Sequence, residues 1–351
     1  MPKLVFEVDS RIVAIYTRKN LPKKLREILE ATIISFTEKE PLAKFFPRLT
    51  FSVESDSRTY KSALHNQTLA FVKRPESRNC IIHINAYSLI NSVGADLDTF
   101  QTKSEDIREV LEGSCKHELS HLHHYTVNKD LKVREKTLKK LNNTTRDPKN
   151  ILNFKKDFTI KDAFILLRAL LGELLEVVHL EGIAKFAQWE DRLIFTADAY
   201  SALESEAKEK IKQLKSVVEE PGYIKEIGLE DWKWRVMRTY YNIYNYFTSS
   251  GACYTLGLHV VYTIKYANPE ISLEELFKLP LFKFFKTYEK SCEKLGHQPL
   301  ITINSGKGLF DYDRAVKELQ QKFEEVSSPQ EENLKQRVGK FWKKTFRKKS
   351  N

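Results

Sequence analysis

Cysteine is scarce in this sequence, and the few cysteines lie far apart. The 351 residues include four, Cys80, Cys115, Cys253 and Cys292, and no two of them form a C-x-x-C pair. A disulfide framework or a cysteine-based zinc site needs paired or closely spaced thiols. We therefore expect four reduced thiols and exclude both kinds of site.

Long apolar runs are also missing. The segment 164–180 carries three charged side chains, and the segment 251–264 is shorter than the roughly 20 apolar residues that cross a bilayer. The first three residues lead directly into a strand-like segment, so we expect no signal peptide. Together these absences predict a soluble, cytoplasmic protein.

Charge is present in excess but is unevenly distributed. The formal net charge is +11, and residues 129–161 hold eleven Lys or Arg against four acids, while residues 335–349 hold eight and no acid. The second segment interleaves Phe341, Trp342 and Phe346 with its cations. Such a tail can bind an anionic membrane surface or nucleic-acid phosphates, or it can remain a solvated terminus. No base-reading motif accompanies it.

The sequence contains an H-E-x-x-H motif, spelled HELSH, at residues 117–121. Residues four apart on a helix lie nearly above one another, so His117 and His121 can share one metal ion. Two neutral imidazoles at this spacing suit zinc. Glu118 lies beside that line, where it can act as a general base toward a water on the metal. The alternative is an amphipathic helix whose histidines lie on a polar face.

The residues around the motif favour a buried helix. Leu119, Ser120 and Leu122 are uncharged, as a helix within a site requires. Ser104 is expected to cap the helix, with acidic residues in its first turn. An apolar-to-small stripe at helical spacing joins this start to the motif, through Ile107, Val110, Leu111 and Ser114.

A catalytic zinc site usually has three protein ligands and one open position, so the motif needs a further ligand. Metzincin-type proteins place a third histidine six residues after the second, following a glycine. Val127 stands at that histidine position and His124 at the glycine position, which excludes this subclass. His123 and His124 are expected to point away from the pair or to lie at its edge. The downstream candidates are Glu173, Glu176, His179 and Glu181.

The segment that begins at Glu181 resembles part of a known family. It reads Glu-Gly-Ile-Ala, which is similar to the second signature of the gluzincin metallopeptidases, an E-G-x-A helix that delivers a glutamate to zinc. The resemblance covers this segment and HELSH, and it implies that Glu181 is the third zinc ligand. Gly182 and Ala184 are small enough to let this helix approach the motif helix closely. Glu173, Glu176 and His179 remain alternatives.

A second feature similar to this family begins at Tyr254. It matches a Y-x-x-G-x-x-V helix found near the end of some predicted gluzincin proteases, which implies that the Tyr254 hydroxyl hydrogen-bonds the oxyanion. The alternative is a helix that uses Gly251 and Gly257 for close packing, with Tyr254 and His259 as polar groups of the core. One position departs from the family, because Lys185 stands where many gluzincins have an acid that orients a zinc histidine. The partner of that histidine must then come from elsewhere.

Hydropathy patterning predicts strands first and helices afterwards. The predicted strands are Leu4–Val8, Arg11–Tyr16, Leu49–Val53, Thr68–Val72 and Cys80–Asn85, with a helix over Leu21–Thr37. After the motif the predicted helices are Ile160–His179, Ala202–Val218, Asp231–Phe247, Gly251–Tyr266, Leu273–Leu295 and Tyr312–Val326. The pattern indicates an α+β fold, mostly helical, with a small N-terminal mixed sheet. The resemblance implies that it is zincin-like, with the last two strands along a cleft where extended substrate can pair.

Composition divides the chain into three parts. Residues 1–103 form an N-terminal α/β part, residues 104–327 a helical part that binds the metal, and residues 328–351 the basic tail. Our leading hypothesis is a zinc-dependent metallopeptidase that hydrolyses a peptide or protein substrate. The same site could hydrolyse another kind of amide. The alternative from a different class is a non-catalytic helical protein whose basic surfaces bind an anionic partner or membrane.

The tail generates a prediction that separates binding from hydrolysis. Deleting residues 328–351 should abolish binding to anionic vesicles or nucleic acid, and it should leave zinc content and hydrolysis intact, because every proposed site residue lies upstream. Binding by the full chain should weaken steeply with salt as charges are screened. Co-sedimentation of both forms at low and moderate salt measures this, and equal binding by the two forms would refute a role for the tail.

Overall fold

The computed structural model describes residues 3–8, 11–17, 21–54, 70–72, 80–96, 98–128, 160–219, 242–243, 246, 251–318 and 320–321. Three predicted features lie largely or wholly outside the described residues: the basic segment 129–161, the helix Asp231–Phe247 and the tail 328–351.

A five-stranded mixed sheet forms the N-terminal part. Its strands are β1 (Lys3–Val8), β2 (Arg11–Thr17), β3 (Arg48–Glu54), β4 (Ala70–Val72) and β5 (Cys80–Asn85), in the order β1-β2-β3-β5-β4. The strands β2, β3 and β5 run parallel, while β1 and β4 are antiparallel to their neighbours. Among the described residues, the short strand β4 therefore lies at one edge of the sheet, and β5, the other strand predicted to line a cleft, lies inside it.

The first helices cover this sheet and lead to the motif. Helix α1 (Lys23–Lys39) forms the crossover from β2 to β3 and buries an apolar stripe at helical spacing. Asn85 ends β5 and caps α2 (Ala86–Ser92) by accepting a hydrogen bond from the Ser88 amide at 3.1 Å. A turn region then connects α2 to α3 (Ser104–Val127), which carries HELSH.

The start of α3 corrects one prediction. Ser104 is the first helical residue and does not cap the helix, because the N-cap position falls on Lys103, whose carbonyl accepts from the Ile107 amide at 3.0 Å. No side chain caps this end. The predicted acids of the first turn, Glu105 and Asp106, are in place and interact favourably with the helix dipole.

The C-terminal part is helical. Its helices are α4 (Ile160–Trp189), α5 (Ala197–Glu219), α6 (Ala252–Ala267), α7 (Leu273–Lys278) and α8 (Leu281–Leu295). The prediction of a single helix over Leu273–Leu295 was wrong, because Leu279 adopts an extended conformation and Pro280 begins α8 as its N-cap. Two short parallel strands, β6 (Ile301–Thr302) and β7 (Phe310–Asp311), follow and were not predicted.

Helices α4 and α6 are in direct backbone contact. A Cβ atom added at Gly182 would lie 2.5 Å from the Gly257 carbonyl oxygen, and one added at Gly257 would lie 2.4 Å from the Val178 carbonyl oxygen. The close packing predicted for Gly257 is therefore present. Gly182, however, faces α6 and not the motif helix, so that part of the prediction was wrong. Gly251 serves a different purpose, since it begins α6 with a positive φ of 63°.

Sheet and helices share one core. Buried apolar side chains run without interruption from β3 through α3 to α4, α6 and α8, represented by Phe51, Leu119, Leu175, Val260 and Phe284. This arrangement confirms an α+β, mostly helical chain with a mixed sheet at the N-terminal side. Among the described residues, no helix combines the length and the apolar character that crossing a bilayer requires.

Two glycines of α4 offer a matched test of the helix contact. Gly182→Ala should lower the free energy of unfolding by about 1–3 kcal/mol, because the new methyl group overlaps the α6 backbone. Gly172→Ala should raise it by about 0.5–1 kcal/mol, because its nearest neighbour would be the Tyr312 hydroxyl at 3.6 Å and helix propensity improves. Denaturant unfolding of the metal-free proteins measures both. Equal effects of the two substitutions would contradict the contact.

Candidate metal centre

Helices α3 and α4 bring three ligand atoms to one point. His117 and His121 lie one turn apart on α3, and their Nε2 atoms are 3.0 Å from each other. The Glu181 carboxylate reaches them from α4, with Oε2 at 3.1 Å from Nε2 of His117 and 3.3 Å from Nε2 of His121. Among the described residues this is the one group of His, Cys, Asp and Glu side chains assembled closely enough to hold a metal ion.

The triangle formed by these atoms fits zinc. In a tetrahedral zinc site with bonds of about 2.1 Å, neighbouring ligand atoms lie about 3.4 Å apart. The observed separations of 3.0 to 3.3 Å are close to this value. Two imidazoles and one carboxylate are also a donor set used by catalytic zinc sites, which leave a fourth position open. The residues present therefore fit the ion.

The pKa values of the three ligand residues are shifted by burial and by their charges on one another. Burial disfavours the charged form of His121, but the neighbouring Glu181 carboxylate outweighs this effect and raises the pKa of His121 to about 9. Burial lowers the pKa of His117. Burial would raise the pKa of Glu181, yet His121 and His117 together hold it far below its ordinary value. The metal-free cluster thus keeps a proton between His121 and Glu181, where a divalent cation would supply the positive charge instead.

Glu118 is buried beside the cluster without being part of it. Its side chain belongs to a residue that is only 8% exposed, and burial raises the pKa of its carboxyl to about 8. The Val72 amide at the edge strand β4 hydrogen-bonds to this carboxyl and opposes the shift. A nearby divalent cation favours the carboxylate form in the same way. Glu118 is therefore a partly desolvated base placed between the ligands and the sheet edge.

Tyr254 lies beside His117. It comes from the first turn of α6, and its ring centroid is 5.9 Å from that of His117. The Glu181 carboxylate and burial raise the pKa of Tyr254, so its hydroxyl keeps its proton and can donate a hydrogen bond. The residue is 43% exposed and therefore accessible to a ligand. His259, on the same helix, is buried in the core, which agrees with the alternative interpretation of this helix as a packing element.

The remaining ligand candidates lie elsewhere. His179 is buried against the ring of Phe284, with the centroids 4.1 Å apart, and also contacts His124. His123 pairs with Glu274 at 2.6 Å. Of the acidic alternatives on α4, neither Glu173 nor Glu176 belongs to the ligand cluster. The four free cysteines, which all fall within the described residues, do not belong to it either.

The second ring nitrogen of His117, Nδ1, points away from the ligand cluster. Nδ1 of His117 is buried and has no hydrogen-bond partner among the described residues. Lys185, one turn after Glu181, lies close enough for its charge to lower the pKa of His117 further. At position 185, where many gluzincins have an orienting acid, this chain has a lysine, and no described residue hydrogen-bonds Nδ1 of His117. Sequence reasoning missed the Val72 amide and the contact between Gly182 and Gly257, since neither a backbone donor nor a helix crossing has a residue signature.

A cavity of about 660 Å³ adjoins the cluster. It lies between the end of α1, the first half of α3 and the end of α4. Lys116, which directly precedes His117, lines it together with Lys185 and Trp189. Lys116 and Lys185 place this cavity next to the ligand cluster, although none of the three ligands lines it.

Comparisons with protein-family models, with curated proteins and with solved structures returned no match. The chemistry assigned to this site accordingly depends on its own geometry and charges.

The ligand assignment gives a direct metal-binding prediction. Glu181→Ala should lower zinc affinity by more than about 100-fold, which exceeds the usual effect of removing an outer partner of a ligand. Glu176→Ala and His179→Ala, on the same helix, should keep zinc. Zinc per folded protein after dialysis measures this, and the zinc-dependent rise in melting temperature provides a second reading. Loss of zinc from the His179 variant with retention in the Glu181 variant would reassign the ligand.

Proposed function

We propose that this chain is a zinc-dependent metallopeptidase of gluzincin type with a zincin-like fold. The observation that carries the proposal is the convergence of His117, His121 and Glu181 with a buried carboxyl, Glu118, directly beside them. The mixed sheet with a short antiparallel edge strand next to the motif helix supports it.

Each residue then has a defined role. When bound by His117, His121 and Glu181, zinc supplies a Lewis acid that activates water and polarises a carbonyl group. Glu118 accepts the proton of the attacking water and returns it to the leaving amine. Burial raises the pKa of the Glu118 carboxyl in the metal-free protein, and a nearby divalent cation would favour its carboxylate form, which is the form that accepts a proton.

The groups around the ligands suit an extended peptide. Among the described residues, the three-residue strand β4 lies at the edge of the sheet beside the motif helix, and Phe71 and Val72 are half-buried there. An extended peptide that binds along this edge would lie next to Glu118, whose carboxyl accepts a hydrogen bond from the Val72 amide. The Tyr254 ring lies 5.9 Å from that of His117, and its hydroxyl keeps its proton, so this neutral donor can stabilise the negative charge that develops on the carbonyl oxygen.

Glu118 also distinguishes catalysis from a structural role. A structural zinc site is closed by four protein ligands, whereas three converge here among the described residues. The buried carboxyl of Glu118 lies next to these ligands, where a base for a metal-bound water is needed. Both features favour hydrolysis over the non-catalytic alternative.

Replacing the base tests the mechanism. Glu118→Gln should keep zinc and the fold but lower peptide hydrolysis by about two to four orders of magnitude, because the water loses its proton acceptor. Glu105→Gln, an exposed position in the first turn of the same helix, serves as the control and should retain full activity. Turnover of a peptide pool by the zinc-loaded proteins measures this. Comparable rates for wild type and Glu118→Gln would refute the mechanism.

A further inference from the structure

Lys185 lies at the junction of the metal centre and the cavity. It follows Glu181 by one helical turn on α4, and its side chain forms part of the cavity wall. Its Nζ lies 6.0 Å from the ring centroid of Tyr254 and 5.4 Å from that of Trp189. His117, His121 and Glu181 do not line the cavity, whereas Lys185, one turn after Glu181 on the same helix, does.

The ammonium group of Lys185 has fewer described hydrogen-bond partners than donors. It donates to a neutral acceptor, Oε1 of Gln188, at 3.2 Å, and forms no ion pair with a described carboxylate. Glu181 attracts it from a greater distance, but that carboxylate contacts the two histidines. An ammonium group has three donors, so at least one remains for a group that enters the cavity.

The neighbouring cations do not share this property. Lys116 pairs with Asp191 at 3.1 Å, and Arg192 pairs with Glu109. Lys39 also lines the cavity, but it lies at the exposed end of α1. Among the described cations of the cavity wall, Lys185 is therefore the half-buried one that no carboxylate neutralises.

Glu190 is an acid of the cavity wall that is influenced by charges other than that of Lys185. Burial raises its pKa, and its charged neighbours are Lys116, Lys265, Asp191 and Glu40. The carboxylate that acts on the pKa of Lys185 is Glu181, which the two histidines contact.

We propose that Lys185 binds a carboxylate of the substrate in this cavity, so that the site selects peptides with an acidic group close to the scissile bond. The carboxylate can be an acidic side chain or the C-terminal carboxylate, which share the same chemistry. This inference rests on the proposed peptidase function for its setting, but its binding step does not require hydrolysis.

Peptide binding to the zinc-loaded Glu118→Gln protein tests the proposal without turnover. Three peptide pools serve as probes. Two are acetylated and amidated and differ at one position, which is Glu in the first pool and Gln in the second, neutral pool. The third is the Gln pool with a free C-terminal carboxylate. We expect one of the two acidic pools to bind about 10- to 100-fold more tightly than the neutral pool, as a charge-assisted hydrogen bond predicts. Calorimetric titration measures the three affinities, and whichever acidic pool binds more tightly identifies the source.

Variants of Lys185 complete the test. Lys185→Met keeps the apolar stem and should remove the preference, whereas Lys185→Glu should reverse it. Lys39→Met, at the exposed end of the same cavity, should keep it. Equal affinities of wild-type Lys185 for all pools, or an equal loss for acidic and neutral pools in Lys185→Met, would overturn the proposal. If the protein prefers acidic peptides but the zinc-loaded wild type, with Glu118 intact, hydrolyses none of them, the peptidase function would be refuted. The carboxylate-binding role of Lys185 would still hold.

Discussion

The direct backbone contact between α4 and α6 is the constraint that determines where the site residues lie. Gly182 is next to Glu181, and Gly257 lies one turn after Tyr254, so this crossing fixes the third ligand and the tyrosine together. A side chain at either glycine would separate the helices and move both groups away from His117. Because protein interiors are close-packed, such a shift could not be absorbed locally. The glycines therefore act on the site through packing, without touching a ligand.

The second constraint is electrostatic. His117, His121, Glu118 and Glu181 are grouped in a region where burial penalises every charged form. Burial lowers the pKa of His117 and raises that of Glu118, whereas the attraction between His121 and Glu181 outweighs burial for that pair. In the metal-free protein the cost is reduced by one shared proton. A divalent cation reduces it further, because it attracts Glu181 and Glu118 at once and needs both histidines neutral. Metal binding and stability of the folded state are consequently coupled.

The fold class and the pair of facing histidines could be predicted from local sequence patterns, whereas Glu181 was favoured over three alternatives by the resemblance to the E-G-x-A signature. Alternation located β5 to the residue, and the i, i+4 spacing placed His117 and His121 together. The errors occurred where a long-range contact or a single backbone conformation decided the outcome. Pro280 divided a helix that periodicity alone would continue, and Gly182 turned toward α6 because only a glycine in the facing helix accommodates it. The pairing of β6 with β7 depends on two residues per strand, which is too short for any pattern.

The orientation of His117 has an unusual physical basis. Metal-bound histidines generally donate their second nitrogen to a carboxylate or carbonyl, and this bond fixes the ring and raises its basicity. At His117 that nitrogen is buried without a described partner, and the nearby charge of Lys185 is positive. The ring must instead be held by its packing against His121 and Tyr254, at centroid distances of 4.7 and 5.9 Å. If His117 binds the proposed metal, Lys185 in place of an acid would weaken this ligand and would leave a positive group beside it. In the proposed peptidase, the same lysine would both reduce the affinity for the metal and offer a binding place for a negatively charged substrate group.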